Sequence, residues 1–347
     1  MANMNIVTPR FYSCLASYHY ARGHSIASIT ATDSGTYFVG LPATNTVEDL
    51  FDLRPLNTVT FDTSSDTDGH VLTQIEFQDA SYKQNFIAIL NHNLNSSDGR
   101  FKVVAGNHTS DNASLDGGGA ETSDINWGSV TVSEVVNADT IAASDSNKTV
   151  TVTPASDGTT IITFTEQDLQ YWGIQFEGDT TWNASTDFTC GGIMIGTYYD
   201  MPFAPDMAVK RSIIYDKTKI QESLGGQRFA STTSFGRSSG SPFGLGSGHS
   251  NHGGRISYDM KFSYLNNTDV MPDEYSIVDY DDNTFIGRVW NMVDGNNRPF
   301  IFSIDNSSTG ANAESEHIFA RFDQESLEMS QSAHNVFNVG LTLSEEF

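Results

Sequence analysis

The sequence predicts an all-β protein. Helical periodicity is nearly absent, and short runs of alternating or β-branched residues recur instead. Clusters of Gly, Asn, Asp and Ser separate these runs, which is typical of turns between antiparallel strands. Eight such runs fall between residues 70 and 198. That number suits a two-sheet sandwich with jelly-roll connectivity.

Each predicted strand of the sandwich is a run of this kind. The eight are His70–Phe77, Asn85–Leu90, Phe101–Ala105, Ser129–Val136, Lys148–Thr153, Thr159–Phe164, Tyr171–Phe176 and Gly192–Tyr198. The turn Pro154–Gly158 contains Asp-Gly, which adopts positive φ at low cost, so it predicts a hairpin. Helical structure is expected at Phe11–Tyr20 and, as a short piece, at Thr46–Phe51.

One strand is followed by an unusual polar run. In Phe86–Leu90 both alternating sets of side chains are apolar, which predicts a central strand covered on both faces. The polar residues Asn91, His92 and Asn93 then fall at the strand end, where such side chains bond to the backbone of a turn. His92 is either a ligand contact or part of a capped turn, and the capped turn is the favoured interpretation.

A composition shift predicts a domain boundary. "DMPFAPDM" (Asp200–Met207) contains two prolines and follows the last sandwich strand. We therefore expect an N-terminal segment (residues 1–44), a sandwich (45–203) and a second β-rich assembly domain (204–347). The predicted strands of the second domain are Val209–Tyr215, Arg228–Phe235, Arg255–Tyr264, Thr284–Val289, Pro299–Ile304, His317–Arg321 and Val336–Leu343. The last of them would fray unless paired, so we expect it in a sheet, within the chain or between subunits.

A Gly- and Ser-rich stretch interrupts the second domain. Residues 236–254 form either a flexible linker or an arm that orders against a neighbouring subunit. The candidate inter-subunit contacts within it are Gly236, Phe243, Leu245, His249 and His252. The two histidines have no further ligand at suitable spacing, and the glycines around them argue against the rigid structure that a zinc site needs.

Charge and cysteine content limit the partners. The chain has 18 Lys or Arg against 43 Asp or Glu, a net charge of −25, which disfavours nucleic acid and anionic membrane surfaces. No signal peptide is recognised, and no apolar run reaches the roughly 20 residues that span a bilayer. Cys14 and Cys190 fit no metal spacing, so we expect buried free thiols made in a reducing compartment, with a disulfide as the alternative.

No motif predicts catalysis, a cofactor or a metal. The acidic run Asp62–His70 fails the EF-hand spacing, although a structural calcium site stays open there or at Asp279–Asp282. P-loop and zinc-protease signatures are absent from the sequence. Acids are numerous enough for a glycosidase pair, but no apolar neighbourhood singles one out. We therefore predict a protein that is not an enzyme.

Exposed aromatic side chains would provide a sugar-binding surface. Trp127 and Trp182 fall at loop edges, where their rings could stack on a pyranose, and His92 is a third candidate contact. Trp172 falls within a strand pattern and is expected in the core.

The order of several segments resembles a known family. "NTVEDLFDLRPLNTVTF" (Asn45–Phe61), "HVLTQIEFQDASYKQNFIAILNHNL" (His70–Leu94) and "FKVVAGN" resemble the start of a discoidin-like β-sandwich found in virion proteins of tailed bacteriophages. "YWGIQFEG" and "CGGIMIGTYYDMPFAPDM" (Cys190–Met207) resemble its closing strands, and "LGGQRFASTTSFGRSSG" (Leu224–Gly240) resembles the segments after it.

This resemblance implies a structural component of the virion tail, at the distal tail or baseplate. We expect assembly in the host cytoplasm into a homo-oligomeric ring through heterologous contacts, with other tail proteins as partners. The sandwich would face outward and the second domain would build the ring. Two alternatives remain open: a carbohydrate-binding module that recognises host surface glycans, and a polysaccharide depolymerase.

Overall fold

The protein is all-β, as predicted. The computed structural model describes residues 7–23, 27–29, 46–77, 82–107, 124–214, 218–232, 245, 255–272, 283–310 and 313–346. The strands up to residue 200 are β1 (Arg10–Cys14), β2 (Ala27–Ile29), β3 (Val59–Phe61), β4 (Val71–Glu76), β5 (Gln84–His92), β6 (Gly99–Gly106), β7 (Val132–Val136), β8 (Ala138–Ser144), β9 (Thr149–Pro154), β10 (Gly158–Gln167), β11 (Tyr171–Gly178), β12 (Phe188–Cys190) and β13 (Gly192–Asp200).

The rest of the chain adds further strands and short helices. The strands are β14 (Lys210–Ile214), β15 (Thr218–Glu222), β16 (Arg228–Thr232), β17 (Arg255–Asn266), β18 (Phe300–Ser303), β19 (His317–Phe322), β20 (Met329–Ala333) and β21 (Val336–Glu345). The helices of the whole described chain are α1 (Leu15–Ala21), a 3₁₀ turn (Val47–Phe51), α2 (Asn267–Val270), a π-helix (Ile286–Trp290) and α3 (Ala313–Glu316).

Two sheets form a sandwich. Strands β1, β13, β5 and β10 lie side by side in one sheet, and β4, β11, β6 and β9 lie side by side in the other. The chain passes between the sheets in the order expected of jelly-roll connectivity. Side chains from both sheets share one hydrophobic core, called here the sandwich core. All eight strands predicted between residues 70 and 198 are confirmed, and the buried run Phe86–Leu90 lies in β5 between β13 and β10.

The predicted hairpin at Pro154–Gly158 is wrong. This turn joins β9 to β10, and these strands belong to different sheets. Hydrogen bonds to distant loops hold it: Asn137 Oδ1 accepts the Ser156 N–H at 2.9 Å, and the turn's own Asp157 Oδ1 accepts the Ser96 N–H at 2.8 Å. The Asp-Gly turn therefore connects strands of two different sheets and does not close a hairpin.

The first strand of the sandwich comes from the segment expected to precede it. Residues 10–14 are strand β1, and the helix predicted at Phe11–Tyr20 begins only at Leu15. β1 pairs with β13 on one side and with β18 on the other, both antiparallel. Arg10 binds the Asp200 carboxylate on β13 with two hydrogen bonds of 2.6 and 2.8 Å. One sheet thus continues across the boundary expected at residues 203 and 204, in the order β14-β17-β21-β19-β18-β1-β13-β5-β10-β7.

Two hydrophobic cores lie on opposite faces of this long sheet. On β1, Phe11 belongs to the C-terminal core and its neighbour Tyr12 belongs to the sandwich core. On β18, Phe300 and Phe302 face the C-terminal core and Ile301 faces the sandwich core. Because consecutive side chains of a strand point to opposite faces, these strands connect the two cores directly.

Six of the seven strands predicted after residue 204 are confirmed in the described residues, and Thr284–Val289 is wrong. This stretch enters a π-helix, in which the Asn291 N–H donates to the Ile286 carbonyl at 2.9 Å. Phe285 and Val289 are four residues apart, so they share one helical face and both enter the C-terminal core. The terminal strand β21 pairs with β17, β19 and β20 of its own chain. Cys14 and Cys190 are buried and free, as expected.

Candidate functional site

The two tryptophans expected on the surface are buried. Trp127 is 3% exposed and Trp182 is 2% exposed, so neither ring offers a face to a sugar, and this prediction is corrected. The Trp182 Nε1–H donates to the Gly69 carbonyl at 2.6 Å, and its ring stacks on Phe188 with centroids 5.4 Å apart. The Trp127 ring meets Phe164 edge-on at 5.7 Å. Both loops fold back to close the sandwich core, and Trp172 lies in that core as predicted.

His92 is also buried, at 2% exposure, so it is not a surface contact. Its Nε2 lies 2.8 Å from the Thr160 hydroxyl, and its Nδ1 accepts the Leu94 N–H at 3.3 Å. These bonds match the capped-turn interpretation. Burial lowers the pKa of His92 to about 4, with Asp157 acting weakly in the opposite direction.

The buried His92 predicts an acid-sensitive fold. In the unfolded chain a histidine has a pKa of about 6.5. As the pH falls from 6.5 to 4, the unfolded chain binds a proton that folded His92 does not bind, so the free energy of unfolding decreases, by up to about 3 kcal/mol. His92→Gln is expected to weaken this pH dependence in urea denaturation measured at pH 7, 6 and 5. Equal pH dependence in the two proteins would show that His92 takes up its proton in the folded state.

One residue of the expected inter-subunit arm is described. Leu245 is 1% exposed and packs in the sandwich core, so in this structure it contacts its own chain and offers nothing to a neighbouring subunit. Gly236, Phe243, His249 and His252 lie outside the described residues.

Exposed apolar side chains instead concentrate just before this arm. Among the described residues, seven of the ten exposed large hydrophobic side chains lie between Phe203 and Phe229. They are Phe203, Met207, Ile213, Ile214, Ile220, Leu224 and Phe229. Residues 203–214 and 218–229 are called here the apolar strip. This concentration of exposed apolar side chains in one segment marks the strip as the candidate functional surface.

The strip contains a hairpin and a sheet edge. β15 and β16 pair only with each other in the described structure, and every residue from Ile220 to Phe229 is exposed. Their turn is closed by the Gly226 N–H donating to the Ser223 carbonyl at 2.9 Å, with Gly226 at φ +81°. β14 ends the long sheet, and its consecutive residues Ile213 and Ile214 point to opposite faces and are both exposed.

The strip differs in charge from the rest of the chain. Residues 203–229 carry five Lys or Arg and three Asp or Glu, a net charge of +2. The remaining residues carry thirteen Lys or Arg and forty Asp or Glu, a net charge of −27. The strip is therefore apolar and weakly basic on an otherwise strongly acidic protein.

Within the described residues, which include Asp62–His70, no three His, Cys, Asp or Glu side chains are grouped so that they could hold a metal ion. Asp279–Asp282 lies outside the described residues. None of the described helices has the length and apolar character needed to cross a bilayer. Comparisons with models of protein families, with curated proteins and with solved structures found no match to this chain.

Proposed function

We propose that the protein is a structural subunit of a tailed-bacteriophage virion, in the distal tail or baseplate, and that it assembles with copies of itself through the apolar strip. The single observation that carries the assembly is the clustering of exposed hydrophobic side chains in the strip. The tail assignment is supported by the order of segments that resemble discoidin-like virion proteins. It is also supported by the jelly-roll order of the sandwich strands.

The isolated hairpin of the strip favours a partner. A two-stranded hairpin is at best marginally stable in water, because one strand pair buries little apolar surface. β15 and β16 nevertheless carry Ile220 and Phe229 in exposed positions, and Leu224 is exposed at the turn. Covering each of these side chains would contribute about 1.5–3 kcal/mol. A surface pressed against the hairpin would therefore stabilise both the hairpin and the complex.

The edge strand β14 offers a second means of contact. Strand edges present unpaired N–H and C=O groups that can add a strand from another chain. In the described structure β14 pairs only with β17. A partner chain at this edge would also cover the exposed Ile213 and Ile214, which lie on the two faces of β14. The proposed interface therefore includes both the hairpin and the edge.

Charge supports a second copy of this chain as the partner. The strip carries a net charge of +2 and the rest of the chain carries −27, so the strip of one copy is attracted to the acidic surface of the next. The strip then contacts a different surface on its partner, which is a heterologous contact. Repetition of such a contact closes into a ring or continues as a helical tube.

The assembly is tested with two charged substitutions in the hairpin. Wild type is expected to form a particle of defined size in mass photometry and negative-stain microscopy. The variant Ile220→Asp/Phe229→Asp is expected to be monomeric, because it places two carboxylates against an acidic partner surface. Its far-UV circular dichroism should match that of wild type, since both side chains are exposed in the subunit, and its melting temperature is expected to fall only by the stabilisation that assembly gives wild type.

The matched control is Leu56→Asp, which changes an exposed leucine outside the strip and should leave assembly intact. A monomeric wild type, or a hairpin variant that still assembles, would overturn the proposed interface. The virion assignment has its own measurement, which is mass spectrometry of purified phage particles. Absence of the protein from virions would contradict the tail assignment even if the protein assembles.

A further inference from the structure

A small groove lies where three distant segments of the chain meet. It has a volume of about 320 Å³ and lies against the end of α1, the loop after the π-helix and the loop before β20. Its lining includes Tyr18, Arg22, Trp290, Asp294, Asn296 and Glu325. The volume is at the lower end of the range for small-molecule sites. None of these residues belongs to the apolar strip.

The backbone beneath the groove is unusual. The π-helix ends at Trp290, and the Gly295 N–H then donates to the Trp290 carbonyl at 2.9 Å. Asp294 and Gly295 are consecutive residues in the left-handed region, at φ +51° and +68°. π-helical turns and non-glycine residues in this region both concentrate at functional sites, because they cost stability. The turn places Gly295 against the Trp290 ring, where an added Cβ would lie 3.3 Å from it, and Asp294 and Trp290 both line the groove.

The charged groups of the groove hold one another in place. Asp294 Oδ1 accepts from Arg22 Nη2 at 3.0 Å, and its other oxygen accepts from Arg298. The Arg22 guanidinium lies over the Tyr18 ring, 3.5 Å from its centroid. Although partial burial opposes it, the two guanidinium groups lower the pKa of Asp294. The carboxylate is therefore ionised at neutral pH and fixed in orientation.

The groove combines an aromatic ring with planar polar groups. Trp290 is half-buried and backed by Phe322, with ring centroids 5.3 Å apart. The other lining residues include Asp294, Glu325 and Asn296, whose side chains carry carboxylate and amide groups. The lining has two carboxylates and one guanidinium group, that of Arg22, so an anionic ligand is disfavoured. The buried Arg298 also binds Asp294 and offsets the second carboxylate, so a cation is not favoured either. An apolar ligand would cover the polar side chains of Glu325 and Asn296 without offering them hydrogen bonds, which is costly.

We propose that this groove binds a neutral sugar residue of a saccharide. A pyranose has an apolar face that packs on an aromatic ring and a rim of hydroxyl groups that both donate and accept hydrogen bonds. Trp290 supplies the ring, Asp294 and Glu325 accept from hydroxyl groups, and Asn296 both donates and accepts. The site lies outside the two sandwich loops that contain Trp127 and Trp182. It does not depend on assembly through the apolar strip.

The test is binding of the wild-type protein to an array of neutral and acidic bacterial oligosaccharides. Affinity for the strongest neutral glycan is then measured by titration of tryptophan fluorescence. Asn296→Ala and Glu325→Gln change exposed residues and are each expected to weaken binding about tenfold. Trp290→Ala is expected to abolish binding, and Trp290→Phe, which keeps a ring against Phe322, should retain part of it.

The matched control is Asn338→Ala, at a residue lining a second groove formed by β17, β21, β20 and the loop before β20, which should leave affinity unchanged. Circular dichroism of each variant reports whether the fold is kept. The proposal is overturned if no neutral glycan on the array binds. It is also overturned if Asn296→Ala and Glu325→Gln bind as tightly as wild type, or if Asn338→Ala loses affinity to the same extent as they do.

Discussion

Phe11→Ala is expected to lower the free energy of unfolding by about 3–5 kcal/mol, since it removes a fully buried ring and leaves a cavity. The Phe11 ring lies within 6.1 Å, between centroids, of four other rings of the C-terminal core: Phe285, Phe300, Phe302 and Phe322. The measurement is urea denaturation, in which the midpoint should shift to lower urea at an unchanged slope.

The same variant tests whether the two cores unfold together. Because β1 supplies Phe11 to one core and Tyr12 to the other, loss of either core should unpair the strand that serves both. Tryptophan fluorescence and far-UV circular dichroism are therefore expected to show one shared transition, earlier than in wild type. Leu56→Ala, at an exposed site, should change the free energy of unfolding by less than about 0.5 kcal/mol. Two separated transitions would indicate independent domains divided near residue 203.

Trp182→Ala should destabilise the protein by a similar amount, about 3–5 kcal/mol. The substitution empties a buried site against Phe188 and removes the donor to the Gly69 carbonyl. The ring also fills the space above Gly99, where a Cβ would lie only 2.4 Å from it. Thermal and urea denaturation measure the loss.

Trp182→Phe provides the comparison, because it keeps an aromatic ring against Phe188 but cannot donate to Gly69. We expect Trp182→Phe to lower the free energy of unfolding by less than Trp182→Ala does. About 1–3 kcal/mol of its loss should arise from the Gly69 carbonyl, which is left without its donor. A Trp182→Ala protein that is as stable as wild type would contradict the buried position. Loss of glycan binding together with unchanged stability would instead restore Trp182 as a surface contact.

The sandwich was predictable because its strands carry local patterns. Phe86–Leu90 is apolar on both faces and therefore had to be central. Strands such as β8 were missed, since Ala138–Ser144 is mostly exposed and carries few large apolar residues. The π-helix segment is predicted as a strand because Phe285, Gly287 and Val289 occupy alternate positions, as residues on one face of a strand do. Phe285 and Val289 are also four residues apart, and this spacing fits a helix equally well. Short segments of this kind are decided by tertiary packing.

The candidate sites depend on contacts that leave little trace in the sequence. Trp182 falls in a polar loop, and only the folded-back loop with its bond to Gly69 shows that the ring is buried. The groove at Trp290 draws on residues near positions 20, 290 and 325, which no local motif connects. The apolar strip had a usable signal, because Ile213, Ile214 and Ile220 flank basic residues in an otherwise acidic chain.

The position of β1 also bears on how the chain is made. Its neighbours β13 and β18 begin at residues 192 and 300. At about 5–20 residues per second, roughly 15–60 s pass between translation of β1 and that of β18. Until β13 is translated, about 9–36 s at that rate, the nascent chain carries an apolar strand with no permanent neighbour, and the edge that β18 covers stays open for the full interval, a hazard for aggregation. Protection by a chaperone on the ribosome would therefore matter more for this protein than for one whose first strand closes a local hairpin.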